Sequence, residues 1–207
     1  MKYSQNTAEA KSLLTDPAGQ NAKASDNIKN KVPVYQLEPI IIEANEALKV
    51  EEVRVDMADM RVESKPVELL TSVGSCVAIC MHDSIHKCGG LAHIMLPSSA
   101  LGVHEPLPSK FADTAVPALA AQIRRLTGKE TRLTAKIAGG ANMFANLTVN
   151  ELDIGKKNVI AVKDALAKHR IKLVGEDVGG SHGRRIKFNV ASGVTIVRRH
   201  DGVVKKL

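Results

Sequence analysis

Two short apolar runs joined by a polar turn dominate the middle of the chain. The first, Val77-Ala-Ile-Cys-Met81, follows directly on Thr71-Ser-Val-Gly-Ser-Cys76. The second, Leu91 to Leu96, contains His93 and stops at Pro97. Between them lie His82-Asp-Ser-Ile-His-Lys-Cys-Gly-Gly90. Strand-forming runs that bound a turn rich in Asp, Ser and Gly predict an antiparallel hairpin, folded near residues 84 to 86. That fold lays the strand that starts at Cys76 beside the strand that holds His93. Cross-strand neighbours have Cβ atoms about 4.5–5.5 Å apart, which brings a thiol and an imidazole within reach of each other.

A Cys–His pair is the minimum equipment for nucleophilic catalysis, because the imidazole takes the thiol proton and the thiolate is the reactive species. Free cysteine is also among the most buried residue types and often serves as a small hydrophobe. Gly74 and Ser75 tip the reading toward chemistry. Small residues ahead of a nucleophile let a substrate approach and free backbone N–H groups to meet a developing oxyanion.

Composition narrows the classes. With 207 residues, 44% hydrophobic and 25% charged, the chain has the makings of a globular domain with a core and some extra length. Aromatic residues make up only 2% and Trp is absent, so the core is aliphatic and a stacking platform for single-stranded nucleic acid is disfavoured. No run approaches the roughly 18 apolar residues of a membrane span, and Met1-Lys-Tyr-Ser-Gln lacks the apolar stretch of a secretory signal. Three irregularly spaced cysteines do not form a disulfide framework. A cytoplasmic protein with reduced thiols, and without membrane insertion, is the expectation.

The net charge of +7 is uneven. Residues 151–207 carry 13 Lys and Arg against 6 Asp and Glu, while the rest of the chain is balanced. A basic end suits an acidic partner surface, and equally a solvated face that keeps the chain soluble. Docking would assign Arg198 and Arg199 to contacts with an acidic partner; a nucleic-acid partner is the weaker reading.

Residues 1–49 divide from the rest. The first 30 or so are rich in Ala, Ser, Asn and Lys with little apolar periodicity, and predict a mobile extension. Pro33 to Leu48, with Ile40-Ile-Ile42, has no clear role. Residues 50–207 form the predicted domain. Val53 to Met60 alternates like one half-buried strand. Residues 111–128 predict a helix capped by Asp113 and Gly128, with Pro117 tolerated near the first turn and Leu119, Ile123 and Leu126 at core spacing. Leu133–Ile137 predicts a strand, Ile154–Arg170 a helix with Ile160, Ala161, Ala165 and Leu166 inward, and Ile171–Val174 a strand. Ile186–Val190 and Val194–Val197 predict a second hairpin. The fold class is α+β, with two hairpins and two principal helices.

Other motifs carry less. Cys80, His82, His86 and Cys88 form C-x-H-x3-H-x-C, which matches none of the usual zinc spacings, with His86 and Cys88 at the turn. No metal and no cofactor are expected. Gly139-Gly140 and Gly179-Gly180-Ser-His-Gly183 lack the features of a phosphate loop and read as turns. His104, His169 and His200 read as surface residues, and His182 as a residue able to line a pocket.

Thr71-Ser-Val-Gly-Ser-Cys76-Val-Ala-Ile-Cys, followed by Gly89-Gly-Leu-Ala-His93-Ile-Met-Leu-Pro97, resembles the chemoreceptor glutamine deamidases, the CheD family of chemotaxis proteins. The resemblance continues in order through Phe111-Ala-Asp113, Gly139-Gly-Ala-Asn-Met-Phe144, Ile154-Gly-Lys-Lys-Asn158 and Asp177-Val-Gly-Gly-Ser-His-Gly-Arg184. It implies layered β-sheets flanked by helices, like certain toxin deamidase domains. It also implies hydrolysis of selected glutamine side chains of methyl-accepting chemotaxis receptors to glutamate and ammonia. Carried over by position, Cys76 is the nucleophile and His93 the general base and acid. The family's third catalytic member is a Thr a few residues before the Cys, here Thr71. Strand alternation places Thr71 on the opposite face from Cys76 and favours Ser72, unless a bulge at Gly74 shifts the phase. Partners implied are the receptors themselves and a CheC-type phosphatase. The alternative function is a non-catalytic adaptor that binds receptors or CheC.

Overall fold

A computed structural model describes residues 50–101, 107–128, 131–142 and 153–207. The expected extension, residues 1–49, lies outside the described residues, as do His104, Met143 and Phe144.

The strands pair into two five-stranded sheets. Glu51–Arg54 (β1), Val67–Val73 (β3), Arg184–Asn189 (β8), Thr195–Arg199 (β9) and Val204–Lys206 (β10) form the first sheet, in the order β1-β3-β8-β9-β10. Met60–Glu63 (β2), Val77–Asp83 (β4), Cys88–Ile94 (β5), Leu133–Gly139 (β6) and Lys172–Val178 (β7) form the second, in the order β2-β5-β4-β6-β7. The helices Ala112–Thr127 (α1) and Ile154–Lys168 (α2) cover one face of the second sheet.

The layers are therefore helix, sheet, sheet, with two cores. Val77, Ile79, Met81, Ala92 and Ile94 point to the helices, where they meet Leu119, Ile123, Val162 and Leu166. Ala78, Cys80 and Leu91 point the other way and meet Val67, Leu69, Ile186, Phe188 and Val197 of the first sheet. Every residue of β4 and β5 is buried. A strand covered on both faces has no polar side to show, which is why both read as apolar runs. The parallel pair β6 and β7 is joined through α2, as a crossover requires.

The predicted hairpin forms: β4 and β5 pair antiparallel around residues 84–87. So does the second, as β8 and β9. Several local expectations are corrected. Val53–Met60 is two strands in different sheets, broken near Ala58 at φ 58°. The alternation holds through Val53 and buried Val55 and fails at Met57, which is 56% exposed. Asp113 does not cap α1; Phe111 occupies the cap, and the Asp113 carboxylate accepts from Ser99 N at 3.0 Å. Pro117 consequently falls beyond the first turn of α1. Leu126 and Ile160 are 51% and 49% exposed, so neither belongs to the core. The buried face of α2 runs through Gly155, Asn158, Val162, Ala165 and Leu166 instead, an i, i+3, i+4 series that leaves Ile160 outside. Cys88 is the first residue of β5, at the end of the strand next to the turn, and is buried.

Candidate active site

The chain leaves the first sheet at Val73 and enters the second at Val77, so Gly74, Ser75 and Cys76 form the crossing between layers. Each of their carbonyls is held from behind. Ala141 N donates to Gly74 O (2.8 Å), Asn158 Nδ2 to Ser75 O (3.0 Å), and Gly140 N to Cys76 O (2.7 Å). No carbonyl among the described residues takes the N–H of Gly74, Ser75 or Cys76.

The pins need glycine at two places. Gly139 has φ 122° and Gly140 φ 64°, backbone regions costly for residues with a Cβ. A Cβ on Gly139 would also collide with the Cys76 carbonyl, and one on Gly140 with Val159. The Gly139-Gly140 pair, read from sequence as a turn, is the seat of the cysteine loop.

The β4–β5 register sets Ala78, not Cys76, opposite His93. Cys76 lies two residues upstream and packs on the same inter-sheet core as Ala78. It is thus a diagonal neighbour of His93, within reach of long side chains but farther than a direct cross-strand partner.

His93 is buried at 4% exposure, and Thr71 at 6%, facing it from the first sheet. Thr71 Oγ1 lies 2.9 Å from His93 Nδ1 and 2.8 Å from the Val55 carbonyl. A carbonyl only accepts, so the threonine hydroxyl donates its one proton to Val55. The hydroxyl must then accept from His93, which fixes the proton on Nδ1. Nε2 is left with the lone pair, buried and without a partner among the described residues.

Alternation along one strand was the wrong frame for choosing between Thr71 and Ser72. The strand ends before the cysteine, and β3 and β4 belong to different sheets that face each other. Odd residues of β3 (Val67, Leu69, Thr71, Val73) point into the inter-sheet layer, while Ser72 is exposed on the outer face. The register of β3 on β8 runs unbroken from Glu68 to Val73, so no bulge within the strand is needed.

Electrostatics separates the three cysteines. Burial pushes the Cys76 thiol up from 9.0, partly opposed by its own N–H. Cys80, fully enclosed, is pushed up to about 12 by burial. Cys88 is also raised, first by burial and then by the Asp83 carboxylate. Cys76 alone of the three is partly exposed. Burial likewise holds His93 below 6.5, only partly offset by Asp56. Near neutrality the pair rests as thiol and neutral imidazole, with Nε2 ready to take a proton.

The family model for CheD chemotactic sensory transduction matches residues 95–199. The chain is 42% identical over 149 residues to the chemoreceptor glutamine deamidase CheD of Thermotoga maritima, covering 72% of this chain and 92% of that protein. It is 43% identical over 149 residues to a protein of Desulforamulus reducens named probable chemoreceptor glutamine deamidase CheD, covering 71% and 90%. A protein of the same name from Methanococcus maripaludis is 42% identical over 146 residues, covering 70% and 94%.

The chain belongs to the CheD family.

The matched segment of the CheD model begins after Cys76, His93 and Thr71. For these three residues the geometry above is the independent argument. In this CheD chain one further residue joins them, which the sequence shows only as part of the Ile154–Asn158 motif and without a role. Asn158 is fully buried in α2, and its Nδ2 donates to Met95 O (2.9 Å) as well as to Ser75 O. One side chain thus ties the cysteine loop to the end of the histidine strand. The available signal was a polar residue standing in the apolar register of α2. The remaining histidines fall elsewhere. His86 Nδ1 pairs with Asp83 at 2.6 Å, and His182 is an exposed residue 3.7 Å from Asp201.

Proposed function

We propose that this chain is a cysteine-dependent protein-glutamine deamidase that hydrolyses glutamine side-chain amides of methyl-accepting chemotaxis receptors to glutamate and ammonia. The observation that carries the reading is the Thr71–His93 hydrogen bond. It orients the imidazole of a strand position that lies diagonal to Cys76, the one partly exposed cysteine. Relatives named for this activity align along most of the chain.

The chemistry follows from the resting protonation states. Nε2 of His93 takes the Cys76 proton as sulfur attacks the glutamine Cδ. The carbonyl oxygen becomes an oxyanion, and the N–H groups of Ser75 and Cys76, which no described backbone carbonyl takes, are its natural donors. The C–N bond breaks as the imidazolium returns the proton to nitrogen, releasing ammonia and leaving a thioester. Water, deprotonated by Nε2, then attacks the thioester, and the thiol regains its proton. The sum is Gln plus water giving Glu plus ammonia. Thr71 touches no reacting atom; it holds the tautomer and tilt of His93, and is a positioning residue in this scheme.

No described helix is long and apolar enough to cross a membrane, which fits action on the cytoplasmic parts of receptors. A CheC-type phosphatase is the second partner in this reading. Mass spectrometry of receptor cytoplasmic fragments, incubated with the protein and with Cys76→Ala, tests it. Gln-to-Glu conversion lost in the variant is the expected result. A folded, receptor-bound protein that converts nothing would make it an adaptor.

A further inference from the structure

The outer face of the first sheet, turned away from both cores, carries a groove of about 550 Å³ across β1, β3, β8 and β9. Its floor includes Leu70, Ser72 and Ile196, and its rim carries Arg54, Arg185, Lys187 and Arg198. Lys187 is already neutralised, bonded at 2.8 Å to both Glu52 and Glu68. Arg54, Arg185 and Arg198 have no carboxylate partner among the described residues, and all three are exposed. Arg185 and Arg198 are directly opposed across β8 and β9. Like charges in that position repel, and a pair kept there without a counter-charge is a site prepared for an anion. Arg199, the neighbouring candidate from sequence, is spoken for: its guanidinium holds Asp201 at 2.7 Å.

Resting on the function proposed above, we propose that this arginine groove docks an acidic segment of the receptor substrate beside the target glutamine. Three features favour a protein segment. The groove and the active site share strand β3 on its two faces: Ser72 lines the groove floor, the adjacent Thr71 side chain holds His93 on the other face, and the cysteine loop begins at Gly74 where the strand ends. Arg54 and Arg198 stand three strand spacings apart and two residues out of register, about 16 Å, a span that acidic side chains about eleven residues apart on one face of a helix would match. Three guanidinium groups over apolar floor residues are too few for the 6–10 phosphate contacts of a typical nucleic-acid site. The groove also has a chemical consequence. Each turnover turns a neutral amide into a carboxylate, so a receptor already deamidated nearby presents more negative charge to the same arginines and is held more tightly.

The test is steady-state deamidation of a receptor cytoplasmic fragment by the full chain carrying R185E and R198E. Reversal of Arg125, an exposed arginine on α1 remote from this sheet, serves as the charge control. We expect KM to rise about tenfold or more at low salt with kcat preserved, and the salt sensitivity of wild-type KM to be largely lost. The rate of Cys76 alkylation by iodoacetamide should match wild type, which shows that the variant is folded. Binding of the same fragment to Cys76→Ala, with and without the arginine reversals, gives a readout that needs no catalysis. Unchanged KM and binding would overturn the groove while leaving the deamidase intact. Groove-dependent binding without conversion by wild type would instead sink the deamidase reading. If the reversals weakened binding to duplex DNA or to anionic vesicles but not to the receptor fragment, the acidic-protein assignment would be wrong.

Discussion

Thr71 and His93 come from different sheets, and a 2.9 Å hydrogen bond between them links the two layers. The bond has a direction. Because Thr71 donates to Val55 O, it accepts from Nδ1, and the histidine is held in the tautomer that leaves Nε2 basic.

Removing the hydroxyl while keeping the shape should therefore harm turnover more than binding. Thr71→Val leaves Nδ1–H without an acceptor and lets the other tautomer compete. General-base catalysis contributes about 10²–10⁴-fold, so a loss in kcat of about tenfold or more is expected, with KM little changed. Thr71→Ser restores the acceptor and should recover most of the rate. Imidazole ¹⁵N shifts give the independent check: wild type should show Nδ1 protonated and Thr71→Val a mixture. Equal kcat for Val and Ser would remove Thr71 from the machinery.

The pH dependence follows from two shifts of opposite sign. Burial lowers His93 below 6.5 and raises Cys76 above 9.0. Below the histidine value Nε2 is already protonated and takes no proton from the thiol. Above the thiol value the shared proton is gone, and none remains for departing ammonia. The profile of kcat/KM should be a broad plateau, its acid limb below 6.5 and its alkaline limb above 9.0. A narrow optimum near 7.5 would contradict neutral resting partners.

Stability has its own acid dependence at the hairpin turn. Burial alone would raise the Asp83 carboxyl. Hydrogen bonds from the His86 ring and from the His86 and Ile85 amides outweigh it and hold the group below 3.8. A carboxylate depressed in the folded state stabilises above its unfolded value, and that contribution fades as pH falls through the folded one. Asp83→Asn should lower the midpoint of urea unfolding at pH 6. At pH 3 and below the gap from wild type should shrink. A gap that stayed constant across that range would rule out the charge as its source.

How far the sequence reaches depends on the range of the contact. The β4–β5 hairpin was legible because pattern and turn lie within one short stretch; its register, which sets Ala78 and not Cys76 opposite His93, was not. Gly128 ends α1 in the left-handed conformation its residue type suggests. The choice between Thr71 and Ser72 was not legible. It depends on the chain changing sheets at Gly74–Cys76, and strand alternation carries no information once the strand has ended. Val53–Met60 failed for the same reason: alternation reports which face is covered, not which sheet a strand joins. The arginine groove is assembled from β1, β8 and β9, and only the sheet order reveals that Arg185 and Arg198 stand side by side while Arg199 turns to Asp201.

Asn158 gives the sharpest test of how the loop is held. Its amide donates to Ser75 O and Met95 O from a fully buried position. Asn158→Leu keeps the volume but strands two carbonyls, at about 1–3 kcal/mol each. Asn158→Asp places a carboxylate against the same two oxygens and should be worse. Both variants should unfold at lower urea concentration than wild type, in that order. A scaffold role alone predicts normal turnover once the protein is folded. Positioning predicts a loss in kcat of about tenfold or more under conditions where the variant remains folded, because displacement of about 1 Å at a nucleophile costs about 10²-fold. Cys76 alkylation should change as well, since the loop that presents the sulfur has lost one of its three pins. Normal kcat and normal alkylation in a folded Asn158→Leu would leave Asn158 as a core residue and assign the holding of the loop to Gly140 and Ala141.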